Sequence, residues 1–306
     1  MAKKNRKKND TADLPEGMSR RQAKLAARAA EREALAKDPR PFGGLAMEAD
    51  LIALQEFVPS AVAQLEVGGV PVNLVTVLPG AGAAMVRPAE DGGERFVALQ
   101  VGSHSQNPGR DLAYALAWAA GAEPGESLQS TAADGTQPEL SSLIDATAQL
   151  TIHEHSDFNW WFAEGAQLPP EVRQALGRAN EAVMPSTQVK VDAPGSVWWV
   201  NPGGGKAHIR WVRPEENENQ VLAALARIAA RGELTLGEGT KFAGAFRTHG
   251  VVVPVWDLDP AVDAQSYAGA LSSLNASIEA EYGNDAQLNA EERKQLDNIK
   301  SRQVTI

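Results

Sequence analysis

The strongest constraint on the fold is a stretch that the chain carries twice. Residues 200–216 read as strand, Pro-Gly turn, strand, then Val-Arg-Pro-x-Glu, and residues 77–90 read the same way. Pro79 and Gly80 match Pro202 and Gly203 at an offset of 123 residues. Val86, Arg87 and Pro88 match Val212, Arg213 and Pro214 at an offset of 126, so the later copy has three extra residues in its turn. Upstream, Glu56-Phe57-Val58-Pro59-Ser60 faces Glu181-Ala182-Val183-Met184-Pro185-Ser186. Repetition at this spacing reads as two copies of one unit. A chain of 306 residues has room for two domains, each with its own core. The expected fold is α+β: two tandem pseudo-repeat units over 42–166 and 169–290, each a mixed or antiparallel sheet with helices packed on one face. A tail over 291–306 follows.

Periodicity and turn residues place the elements. Helices are expected over 45–57, 108–120, 171–183, 219–231 and 261–282, the first read as amphipathic. Strands are expected over 61–67, 72–78, 83–87, 95–101, 140–148 and 150–155 in the first unit. In the second they are expected over 188–191, 197–200 and 207–212, with a hairpin of 241–247 and 251–258 around Thr248-His249-Gly250. The tail opens Asn-Ala-Glu-Glu, a capped short helix, and its last four residues can add an edge strand. The segment 121–138 is polar and reads as a loop, and Trp160-Trp161-Phe162 as an apolar knot.

Ahead of the units lies a basic arm. Residues 1–40 hold 12 Lys+Arg against 6 Asp+Glu, leaving 17 basic and 33 acidic residues in the rest, so a tail of +6 precedes a body of −16. Residues 1–17 lack the apolar side chains needed to fold. From 18 to 40 the chain is rich in Ala, Arg, Glu and Lys, with Ser19 and Gln22 spaced as a capping box, and reads as a projecting helix. Lys3, Lys4, Arg6, Lys7 and Lys8 form one cluster; Arg20, Arg21, Lys24, Arg28 and Arg32 extend it along the helix. Such an arm suits RNA, the ribosome or an acidic protein.

Several function classes drop out. There is no cysteine, which excludes disulfides, thiol catalysis and Cys-based metal sites. No run approaches a membrane span, and no apolar region follows the basic start, so a cytoplasmic location is expected. No Gly-x-Ser-x-Gly elbow is present. Asn201-Pro202-Gly203-Gly204-Gly205-Lys206 is not a Walker A loop, because Val200 and Ala207 stand where Gly and Ser/Thr are needed, and a hairpin turn explains its glycines.

Two clusters keep chemical interest. His153, His155 and Asp157 share a face if their strand continues, and two imidazoles with a carboxylate suit zinc, iron or manganese in a hydrolase. The pattern is similar to the His-x-His-x-Asp-His of metallo-β-lactamase-type hydrolases, with Phe158 in place of the last histidine. Lys206, His208 and Arg210 alternate with Ile209 and Trp211, giving a basic face for a nucleic acid or another partner. Asp257 and Asp259 follow a buried strand and read as helix caps.

MSRRQAKLAARAAERE (18–33), DPRPFGGLAMEADLIALQEFVPSA (38–61) and the closing KSRQVTI (300–306) resemble an uncharacterised family of actinobacterial proteins of about this length. The resemblance covers nearly the whole chain and implies no assigned activity and no defined catalytic residues. Some relatives carry labels from the preprotein translocase motor or from topoisomerases. The translocase motor needs Walker motifs, and a topoisomerase a nucleophilic tyrosine; Tyr114, Tyr267 and Tyr282 fall mainly in expected helices. The reading is a binding or adaptor protein without a cofactor that works through its basic arm. The alternatives are a metal hydrolase at His153, His155 and Asp157, or a protein-binding scaffold.

Overall fold

A computed structural model of the protein describes residues 38–131, 137–302 and 304–305, together with Arg21, Gln22 and Leu25. Arg21, Gln22 and Leu25 are helical and exposed; the rest of the expected arm, 1–20 and nearly all of 23–37, lies outside the described residues.

Helix α1 (Glu48–Glu56) is the centre of the molecule. Leu51, Ile52, Ala53 and Leu54 follow one another without a polar break, so apolar side chains leave the helix in every direction. All four are buried. The helix is therefore enclosed rather than amphipathic, and shorter than the 45–57 expected. Its polar residues are tied down. Glu48 is 4% exposed and its carboxylate takes two 2.6 Å hydrogen bonds from Arg40. Arg40 also donates to the carbonyl of Pro214, 174 residues on. Asp50 accepts from the Ser196 hydroxyl at 2.6 Å and from Gln188 at 3.2 Å, while burial pushes its carboxyl above the usual range.

Two six-stranded sheets enclose this helix. The first runs β5-β3-β4-β2-β1-β6. Its strands are β1 (Ala61–Val67), β2 (Val70–Val75), β3 (Ala84–Val86), β4 (Arg95–Ala98), β5 (Ser127–Leu128) and β6 (Ile152–Glu154). Strands β2 and β4 are parallel and the other neighbours antiparallel. Helix α2 (Pro108–Gly121), capped by the Asn107 side chain, packs on this sheet. The aromatic knot covers the opposite face: Trp160 stacks on Phe96, Trp161 on Phe158, and both indole N–H groups find oxygens, on Ser60 and Val77. Between 140 and 148, where a strand is expected, the chain forms the single-turn helix α3 (Leu140–Leu143). Leu140, Leu143 and Ile144 recur at helical spacing, and Leu140 and Ile144 are buried.

Helix α4 (Pro170–Glu181) leads to the second sheet, ordered β12-β10-β11-β9-β8-β7. Its strands are β7 (Ser186–Gln188), β8 (Ser196–Val200), β9 (Ala207–Val212), β10 (Lys241–Thr248), β11 (Val251–Leu258) and β12 (Val304–Thr305), the last parallel to β10. Alternation divides its side chains. Val197, Ile209, Trp211, Val252, Trp256 and Leu258 pack in one core with α5 (Glu218–Ala230), α6 (Ala268–Glu281) and α7 (Ala290–Ser301). Trp198, Val200, Val212, Val251 and Val253 belong instead to the core built around α1. The first core thus crosses from one sheet to the other. The expected helix over 261–282 is a 3₁₀ turn, Ala264–Tyr267, followed by α6. Helix α7 opens with the expected capping box between Asn289 and Glu292.

The β10–β11 hairpin turns at His249 and Gly250, both in the left-handed region (φ 47° and 81°). A Cβ on Gly250 would sit 2.4 Å from the Pro39 carbonyl oxygen, so this turn admits only glycine. The two sheets differ in connection. Strand β4 lies between β2 and β3, whereas β9 lies directly beside β8.

Removing Arg40 leaves a buried carboxylate without its partner. Arg40→Ala is expected to cost about 3 kcal/mol in urea unfolding, and Arg40→Met with Glu48→Leu to recover most of it, because an apolar pair needs no counter-charge. Equal loss in the single and double variants would contradict this assignment.

Candidate functional site: a half-covered cleft beside helix α1

The β8–β9 hairpin turns through Gly203, Gly204 and Gly205, all left-handed (φ 87°, 74° and 82°). Strand β9 follows the turn directly, so no helix N-terminus faces the glycines. From here Lys206, His208 and Arg210 alternate along one side of β9, the side that carries Val212 into the α1 core. Helix α1 covers this side only in part. Where the helix ends, at Glu56 and Phe57, the sheet is left open, and a cleft of about 350 Å³ lies there. Phe57, His208, Arg210, Phe246 and Val255 line it, with Arg302 at the end of α7.

The expected basic face is not uniformly available. Asp257 stands opposite His208 in the β11–β9 register. Its Oδ2 accepts from Lys206 Nζ at 2.6 Å, and its Oδ1 lies 3.2 Å from His208 Nδ1, close enough to attract though not aligned as a hydrogen bond. The Lys206 hydrogen bond holds the Asp257 carboxyl below its usual range. Burial pushes the His208 imidazole below its ordinary pKa; nearby Asp257 opposes this and Arg210 reinforces it. His208 is therefore neutral at pH 7. Asp257 is a counter-ion, not a helix cap; Asp259 accepts from the Ala261 N–H at 2.9 Å within a turn, and the cap of the following 3₁₀ turn is Asp263, which accepts from the Gln265 N–H.

Arg210 is the exception. Its guanidinium lies 5.3 Å from the centre of the Phe57 ring, and burial lowers its pKa. Among the described residues no carboxylate or carbonyl bonds to it. Glu56, on the same wall, is engaged by His249 Nε2 at 2.6 Å. The site therefore pairs a desolvated cation with an aromatic ring and open apolar surface. Such a group is costly to leave without an anion.

The other sequence candidates are not assembled. Strand β6 stops at Glu154, so the alternation that would align His153, His155 and Asp157 ends too early. Both Asp157 carboxylate oxygens accept from Asn159, and His155 lies beside the Trp160 ring. Among the described residues no three His, Asp or Glu side chains are placed to hold a metal ion. Of the arm residues, Arg21 is described and exposed; Lys3, Lys4, Arg6, Lys7, Lys8, Arg20, Lys24, Arg28 and Arg32 lie outside the described residues. Glu56, Phe57, Phe246 and Arg302 were not foreseen as site residues. They come from three distant parts of the chain and share no motif.

A family model described as a family of unknown function (DUF5926) matches residues 41–306, and the chain belongs to that family. No curated protein and no solved structure matches the chain. Among the described residues no helix is long and apolar enough to cross a membrane.

The shifted imidazole fixes a pH dependence. A histidine whose folded pKa is depressed leaves the unfolded chain binding more protons, so its stabilising effect is present above the unfolded pKa and is lost as pH falls below about 6.5. His155, also depressed by burial, acts in the same direction. The test is therefore a difference: His208→Asn should flatten, but not abolish, the loss of stability between about pH 7 and 5. An unchanged slope in urea unfolding would contradict the neutral His208.

Proposed function

We propose that this member of the family is a binding protein, and that its cleft takes a small organic anion with an apolar body. The observation that carries this reading is the half-buried guanidinium of Arg210 over Phe57, which has no carboxylate or carbonyl partner among the described residues. A carboxylate can take two parallel N–H donors from one guanidinium, and water-poor surroundings strengthen that pairing. The apolar part of the ligand would lie against Phe57, Phe246 and Val255, and Arg302 at the rim adds a second positive charge. A volume of about 350 Å³ suits a metabolite-sized molecule.

The basic arm supports a second reading, in which residues 1–40 contact RNA, the ribosome or an acidic protein. Its support is the separation of charge, +6 in the arm against −16 in the body. We also infer that the two halves descend from one duplicated unit. Arg87 and Arg213, the arginines of the repeated motif, have parallel surroundings: each lies over an aromatic ring, Phe96 at 4.6 Å or Trp211 at 4.4 Å, and each pairs with a nearby glutamate, Glu94 or Glu215.

Two variants test these readings. Titrated with hexanoate in a calorimeter, Arg210→Met should bind at least about tenfold more weakly than the parent, the loss expected for one charge-assisted pair. The unliganded Arg210→Met protein should unfold at the same or a higher temperature, because it no longer holds a half-buried charge without a counter-ion. Unchanged hexanoate binding, or a large loss of stability, would assign Arg210 to the scaffold instead. For the arm, RNA binding by the full chain should fall steeply with salt and disappear on deletion of 1–40. Binding retained by 41–306 would sink that reading.

A further inference from the structure

A second cavity, of about 500 Å³, lies on the other side of Glu56, between the end of α1 and the start of α2. Two of the residues that line it carry a buried polar atom with no hydrogen-bond partner among the described residues. Asp111, in the first turn of α2, is 6% exposed. Its Oδ2 accepts from the backbone N–H and the hydroxyl of Ser105, both at 2.9 Å, but its Oδ1 has no partner among the described residues. Thr131 is 4% exposed, and its hydroxyl likewise has none. Buried polar atoms are almost always paired, so two orphans on one cavity wall mark a place for a ligand's donors. Glu56 adds a second carboxylate, and no lysine or arginine lines the cavity among the described residues. His104, the one basic group on its wall among the described residues, turns Nδ1 to the Ser105 carbonyl at 2.7 Å. Leu99 and Leu112 supply apolar surface.

We propose that this cavity binds a small primary amine, its ammonium group on Asp111 Oδ1 and Thr131 Oγ1 and its alkyl part against Leu99 and Leu112. An ammonium brings three donors and a charge opposite to that of Asp111 and Glu56. A neutral hydroxyl brings one donor and no charge to set against the Asp111 carboxylate. The proposal does not depend on the anion cleft, which lies against the other side of Glu56.

The full chain is titrated with n-hexylammonium, with 1-hexanol and with hexanoate, following backbone amide shifts at Gly102 and Leu112. Hexylammonium should move both, with hexanol at least about tenfold weaker and hexanoate without effect on these two amides. Asp111→Asn should weaken hexylammonium at least about tenfold, and Thr131→Val about threefold. Arg210→Met should leave it unchanged, which separates this site from the anion cleft. Should Asp111→Asn fail to fold, Thr131→Val and Glu56→Gln carry the test, both weakening the amine. Equal binding of hexanol and hexylammonium, or full affinity in these variants, overturns the proposal.

Discussion

The fold depends on the enclosure of one short helix. Leu51, Ile52, Ala53 and Leu54 can be buried together only if apolar surface meets α1 from several sides. The first sheet and α2 supply part of it; the Trp198, Val200 and Val253 face of the second sheet supplies the rest. An enclosed helix must also satisfy its charges. Arg40 answers Glu48, and Ser196 and Gln188 answer Asp50. Each of these contacts joins parts of the chain that are distant in sequence or lie on different elements, so the polar bonds fix the packing that the apolar residues drive.

The same geometry produces the cleft. Helix α1 is nine residues long, too short to cover the second sheet from end to end. Beyond Phe57 the inward face of β9 and β11 continues, but its side chains change from Val to His208, Arg210 and Asp257. Asp257 neutralises the Lys206 end, leaving Arg210 at the covered end with no carboxylate partner among the described residues. One half-buried cation beside an aromatic ring is thus a consequence of where the central helix stops. Glu56, its last residue, divides this cleft from the cavity at Asp111.

Much of this was legible in the sequence. Helices and strands with clear periodicity fell close to their places, and the β10–β11 hairpin and the Asn289 cap were readable from His249-Gly250 and Asn-x-x-Glu. The α+β class followed from that order. What failed had identifiable causes. Leu140 to Ile144 was too short a run to separate a helical turn from a strand. His153, His155 and Asp157 were aligned on the assumption of a strand that ends at Glu154. Local patterning of α1 did not disclose that the second sheet would close over it, because that contact is made by residues some 140 positions later, such as Ser196 on Asp50. Alternation correctly put Lys206, His208 and Arg210 on one side of β9. It could not tell that Asp257 would engage the first two, nor that Phe57 and Arg302 would join the third.

In the function we propose, Arg210 waits for an anion in a cleft that α1 leaves open. A crystal soaked with 6-bromohexanoate tests it most directly, since the bromine can be located by its anomalous signal. The expected result is a bromine peak against Phe246 or Val255, with the carboxylate paired to the Arg210 guanidinium. A bromine signal absent from the cleft, or a carboxylate turned away from Arg210 into solvent, would contradict the account.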